Sequence, residues 1–102
     1  MEKIAEKMSH SVADCFKIEN RGYIREGYFA DLVVVDLNKS TREKKANILY
    51  KCAWSPMEEY TFPAAIIQTF VNGNCVYTHQ DNHGRYLFDE SVKGQRLSFT
   101  RY

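Results

Sequence analysis

Apolar residues recur at every fourth position at the start of the chain, at Ile4, Met8, Val12 and Phe16, with Ala5 and Ala13 beside them. On a helix that spacing lays down one apolar stripe. Glu2, Lys3, Glu6 and Lys7 occupy the opposite side, so residues 1–18 are predicted helical. Ser11-x-x-Asp14 has the form of a capping box, whose hydroxyl and carboxylate satisfy free backbone N–H groups at a helix start. It predicts a break near Ser11, an unbroken helix being the alternative. The period then changes. Leu32, Val33, Val34 and Val35 form an apolar, mostly β-branched run that predicts a strand buried on both faces. Gly22 and Gly27 precede it and permit turns at positive φ, and Asp36 closes it. Residues 38–45 are polar and unpatterned, which predicts a solvated loop. Their small basic cluster lacks the interleaved aromatics or Gly-rich turn of a phosphate site. Ala65–Val71 and residues 74–77 flank Asn72-Gly73, the strongest two-residue signal for a type I′ hairpin. Ile66, Ile67, Phe70 and Val71 put apolar groups on both faces and predict a well-covered hairpin. Residues 78–84 read as a polar turn. Residues 86–88 and 97–99 are short apolar patches suited to edge strands or an extended tail. The expected fold is α+β, an N-terminal helix packed with a small, mostly antiparallel sheet.

Composition narrows the class. At 102 residues the chain is at most one domain, burying about 60–65% of its extended surface if complete in itself. A hydrophobic fraction of 44% and an aromatic fraction of 14% describe a folding chain rather than a disordered one. A formal net charge of +1 gives no electrostatic case for nucleic acid or an anionic membrane. No apolar run approaches the roughly 20 residues of a bilayer span, and the charged N-terminus lacks a signal-peptide core; a cytoplasmic location is expected. Cys15, Cys52 and Cys75 are odd in number and form no Cys-x-x-Cys pair, so neither a disulfide framework nor a structural zinc site is supported. Buried reduced thiols are expected.

Candidate chemistry is sparse. His79-x-x-x-His83, with Asp81 between, could hold a metal if helical, but Gln80, Asp81, Asn82 and Gly84 favour a turn in which the two rings need not converge. His10, Ser11, Asp14 and Cys15 are residue types of nucleophilic sites, yet adjacency in sequence is not triad geometry. Glu58 and Glu59 read as a solvated pair. No residue is assigned a catalytic, cofactor-binding or metal role.

Two segments carry a resemblance. Gly22-x-Ile24-x-x-Gly27-x-x-Ala30-Asp31-Leu32-Val33-x-x-Asp36 resembles the strand that re-enters the small β-sandwich of amidohydrolase-superfamily enzymes after the last helix of their (β/α)8 barrel. Lys51-Cys52-x-Trp54-Ser55-Pro56-x-Glu58 is similar to a stretch of dihydroorotases. Residues 69–77 and the ending from Gly94 to Phe99 continue that match. Ser11-Val12 departs from it, standing where the family usually has Asn-Pro. The resemblance implies the C-terminal portion of a dihydroorotase, with residues 1–20 a terminal helical segment of a barrel not contained in the chain and residues 21–102 a small β-domain. It implies for the parent a zinc-dependent, reversible hydrolysis of dihydroorotate to carbamoyl aspartate in pyrimidine synthesis. The chain alone is expected to be inert and without a cofactor, because the zinc ligands of the family lie upstream of the matched segments. Trp54, Pro56 and Phe62 are the residues expected to dock on the barrel. A homo-oligomer burying Ile4, Met8 and Phe16 is expected of the isolated chain. A non-catalytic dihydroorotase-like binding partner of a pathway enzyme is the alternative, and a hydantoinase- or allantoinase-type parent a further one.

Overall fold

The computed structural model describes residues 1–79 and 86–101. One helical rod opens it, made of α1 (Glu2–Ala5), a π-helical turn (Glu6–His10) and α2 (Ser11–Phe16). The expected discontinuity at Ser11 is a change of pitch, not an interruption: His10 and Ser11 both keep right-handed helical backbone. No side-chain cap forms there, so the Ser11/Asp14 capping box is not made. The π turn suits the stripe. A four-residue repeat drifts around an α-helix of 3.6 residues per turn, and a wider i→i+5 turn brings it back. Lys17 ends the rod in left-handed conformation, with the Ile18 N–H bonded to Ala13 O and the Lys17 N–H to Asp14 O. This is the Schellman pattern, here without glycine.

A four-stranded antiparallel sheet follows in the order β1-β4-β5-β6, from β1 (Leu32–Asp36), β4 (Ala65–Val71), β5 (Asn74–His79) and β6 (Tyr86–Phe88). Asn72 and Gly73 have φ of 50° and 80°, as the two-residue primed turn requires. The segment read as a solvated loop contains β2 (Thr41–Arg42), which pairs with β3 (Thr61–Phe62) in a second, two-stranded sheet. The α+β class stands.

Burial is where the sequence expectations fail. Among the described residues only Ala13 and Ala65 are buried. β1 is an edge strand with Val33 and Val34 exposed, not a strand covered on both faces. Ile66 is exposed too, so the hairpin is only partly covered. All three cysteines are free and exposed, contrary to the buried thiols expected: Cys15 lies on the helix, Cys52 in a turn and Cys75 beside the hairpin bend. The helical stripe stands in solvent, Met8 being 76% exposed. A folded monomer of 11.9 kDa should expose about 5,900 Å², whereas this chain exposes 8459 Å². Its radius of gyration of 15.9 Å likewise exceeds the roughly 13 Å of a compact chain this long.

Candidate functional site

Two junctions tie the helix and the turn before β1 to the rest of the fold. At the first, Gly22 adopts φ +86° directly over Ala13. Its carbonyl accepts from Ser9 Oγ (3.0 Å) and from His10 Nδ1 (2.6 Å), two donors for its two lone pairs. A carbonyl only accepts, so His10 carries a proton on Nδ1. The His10 ring stacks on Tyr23 at 4.2 Å between centroids, and the Arg25 guanidinium lies 4.2 Å from the same ring. The Tyr23 hydroxyl donates to Asp14 at 2.7 Å, and that bond raises its pKa above the ordinary phenol value. His10 and Asp14 are thus committed to holding Tyr23, and they form no nucleophilic constellation with Ser11 or Cys15.

The second junction is a polar clamp. Arg21, whose side chain is 12% exposed, pairs with Asp31 and donates to Asn72 Oδ1 at 2.9 Å. Its guanidinium lies 4.1 Å from the Phe29 ring centre. Asp31 accepts the Asn72 N–H at 2.9 Å, and Ala30 O accepts the Gly73 N–H at 3.0 Å. Residues 41 positions apart therefore fix the hairpin turn against the start of β1. Nothing local in the sequence announces this, since Asp31 stands at the head of a strand and Asn72 in a hairpin turn 41 positions away.

Trp54 and Pro56 lie exposed in the irregular segment between the 3-10 turn (Lys45–Asn47) and β3, Trp54 at 64%. The segment is stiffened by its own bonds, Ala53 N–H to Tyr50 O at 3.0 Å and Met57 N–H to Ser55 Oγ at 3.1 Å. Leu49, Tyr50, Met57 and Tyr60 are exposed in the same stretch. Phe62 meets Tyr60 edge-on at 4.9 Å and lines a cleft of about 430 Å³ between the two sheets, with Val35, Ile66, Tyr77 and Tyr86 on its other side. In that cleft burial, and next the Tyr86 hydroxyl, push the Tyr77 pKa up.

The remaining candidates separate. Glu59 is taken by an ion pair with Arg42, leaving no carboxylate pair with Glu58. His79 ends β5 with its ring edge-on to Tyr86 at 5.5 Å; Asp81 and His83 lie outside the described residues. Among the described residues no group of three His, Cys, Asp or Glu side chains could hold a metal ion, and no helix is long and apolar enough to cross a membrane.

Residues 1–76 match the Amidohydrolase family. A dihydroorotase of Pyrococcus horikoshii is 36% identical over 90 residues, covering 88% of this chain and 21% of the relative. A dihydroorotase of Endomicrobium trichonymphae is 35% identical over 77 residues, 76% of this chain and 18% of the relative. An allantoinase of Desulfitobacterium hafniense is 35% identical over 75 residues, 74% of this chain and 17% of the relative. The chain spans about a fifth of the length of the curated relatives it matches.

Proposed function

The chain belongs to the amidohydrolase family, and on that premise we propose that it is the C-terminal structural portion of a dihydroorotase. The observation that carries this reading is the surplus of about 2,500 Å² of exposed surface over a self-sufficient monomer of the same mass. Obligate interfaces bury about 2,000–5,000 Å² in total over both partners, so the surplus has the scale of a domain core left open. It is also apolar where it matters: the helical stripe, the 49–60 segment and the edge strand β1 all present large side chains.

The parent reaction is reversible hydrolysis of the cyclic amide of dihydroorotate to carbamoyl aspartate. The zinc that the family resemblance implies would activate water and polarise the amide carbonyl. The described residues offer no ligand set for it, so no step of that reaction is assigned to this chain. A (β/α)8 barrel also takes roughly 200 or more residues. The role proposed here is bracing: Trp54, Pro56 and Phe62 dock on the barrel, and the helix of residues 2–16 completes its periphery in the cytoplasm. Without that cover, the isolated chain self-associates through Ile4, Met8 and Phe16.

The test is zinc content and turnover of the purified 102-residue chain with dihydroorotate and with allantoin. No stoichiometric zinc and no hydrolysis of either is expected. Stoichiometric zinc with turnover would overturn the structural role, and turnover of allantoin alone would also overturn the assignment of parent. Analytical ultracentrifugation should show a dimer or larger species that Met8→Glu dissociates; a parent chain monomeric at high concentration refutes the self-association.

A further inference from the structure

Asn-Gly is the dipeptide most prone to deamidation, because glycine puts no side chain in the way of its own nitrogen. Ring closure joins the Gly73 nitrogen to Asn72 Cγ. The Cγ–Nδ2 bond breaks, and ammonia leaves with the proton that the Gly73 N–H gives up. Water then opens the succinimide at either carbonyl, leaving an aspartyl or isoaspartyl residue at position 72. Closure needs rotation about both the Cα–C and the Cα–Cβ bond of Asn72.

Three hydrogen bonds from one neighbouring stretch oppose those rotations. The Asn72 N–H is held by Asp31 Oδ1 at 2.9 Å, the carboxamide oxygen by Arg21 at 2.9 Å, and the Gly73 N–H by Ala30 O at 3.0 Å. The attacking nitrogen is thus directed at another acceptor, and the carboxamide it would attack is pinned from a different side. Gly73 itself is exposed, so water for the hydrolysis is at hand. We propose that Asn72 is a latent modification site and that the Arg21–Asp31–Ala30 clamp is the lock that keeps it closed. The isoaspartyl product carries the main chain through one extra atom. In a two-residue turn that sets the β4–β5 register, this unseats the hairpin.

The experiment incubates the chain at mildly alkaline pH with and without urea and measures deamidation and isoaspartate at position 72 by peptide mass spectrometry. Hydrogen exchange at the Gly73 amide is read in the same samples. Three ordinary hydrogen bonds should slow the folded chain about 100-fold relative to the unfolded one. Arg21→Met keeps an unbranched side chain of similar length and deletes one bond of the three, and should react about fivefold faster than the parent. A protected Gly73 amide with deamidation as fast as in urea overturns the lock. So does an unprotected Gly73 amide, since the bond to Ala30 is then not made. If Arg21→Met fails to fold, the comparison of parent chain with and without urea still decides.

Discussion

Substituting Gly22 by alanine tests the junction between helix and sheet. The new Cβ would sit 2.3 Å from Ala13 Cβ and 3.2 Å from Ser9 O, at φ +86°. Left-handed backbone costs a residue with a Cβ about 1–2 kcal/mol. Relieving an overlap in a packed contact adds about 1–3 kcal/mol more. The neighbour cannot swing aside cheaply, because Ala13 is a short side chain on the helix backbone and is only 5% exposed. Gly27 provides the internal control: its φ is +81°, yet a Cβ there meets nothing within 4 Å. Gly22→Ala should therefore destabilise by about 3 kcal/mol and Gly27→Ala by about 1 kcal/mol. Urea unfolding followed by far-UV circular dichroism measures both, with equal m-values required for the comparison. If stability is low, loss of the transition in Gly22→Ala with its retention in Gly27→Ala carries the same information. Equal effects at the two glycines would refute the close approach of helix and turn.

Other consequences are open to simpler tests. Asp14→Ala removes the acceptor that raises the Tyr23 pKa, so phenolate absorbance should show that tyrosine titrating at lower pH than in the parent. With a raised folded-state pKa, the Tyr23 contribution to stability is complete below the unfolded value and lost as pH rises through the folded one. The parent should thus lose more stability than the variant on the alkaline limb. Asp89 behaves oppositely: the hydroxyl of Ser91, and then its N–H, lower the Asp89 pKa. Its contribution is present above the unfolded value and lost as pH falls through the folded one. NMR titration of Ser91→Ala should move the Asp89 midpoint up. Trp54→Ala should leave the unfolding midpoint of the chain unchanged, since the ring is 64% exposed, while weakening association with a dihydroorotase barrel by pull-down. A large loss of intrinsic stability would place the ring in a core instead.

Local chemistry was legible in the sequence, and coverage was not. Asn72-Gly73 specified its turn because both positions tolerate positive φ, and Leu32–Asp36 became a strand because its apolar run admits little else. Ser11-x-x-Asp14 misled for the complementary reason. A cap is decided by backbone that the rest of the molecule holds, and here Asp14 was drawn off to Tyr23. The cysteines misled because burial depends on what lies opposite, which no residue encodes alone. Sequence by itself determined the N-terminal helix, the strand Leu32–Asp36 and the Asn72-Gly73 hairpin, which rest on contacts a few residues apart, but not the pairing of Thr41–Arg42 with Thr61–Phe62. Tertiary structure alone decided that Arg21 and Asp31 hold a turn 51 and 41 positions onward, that His10 stacks on Tyr23, and that the apolar stripe faces water. Those outcomes depend on which distant segments the chain brings together, and pairing across such distances leaves no local mark.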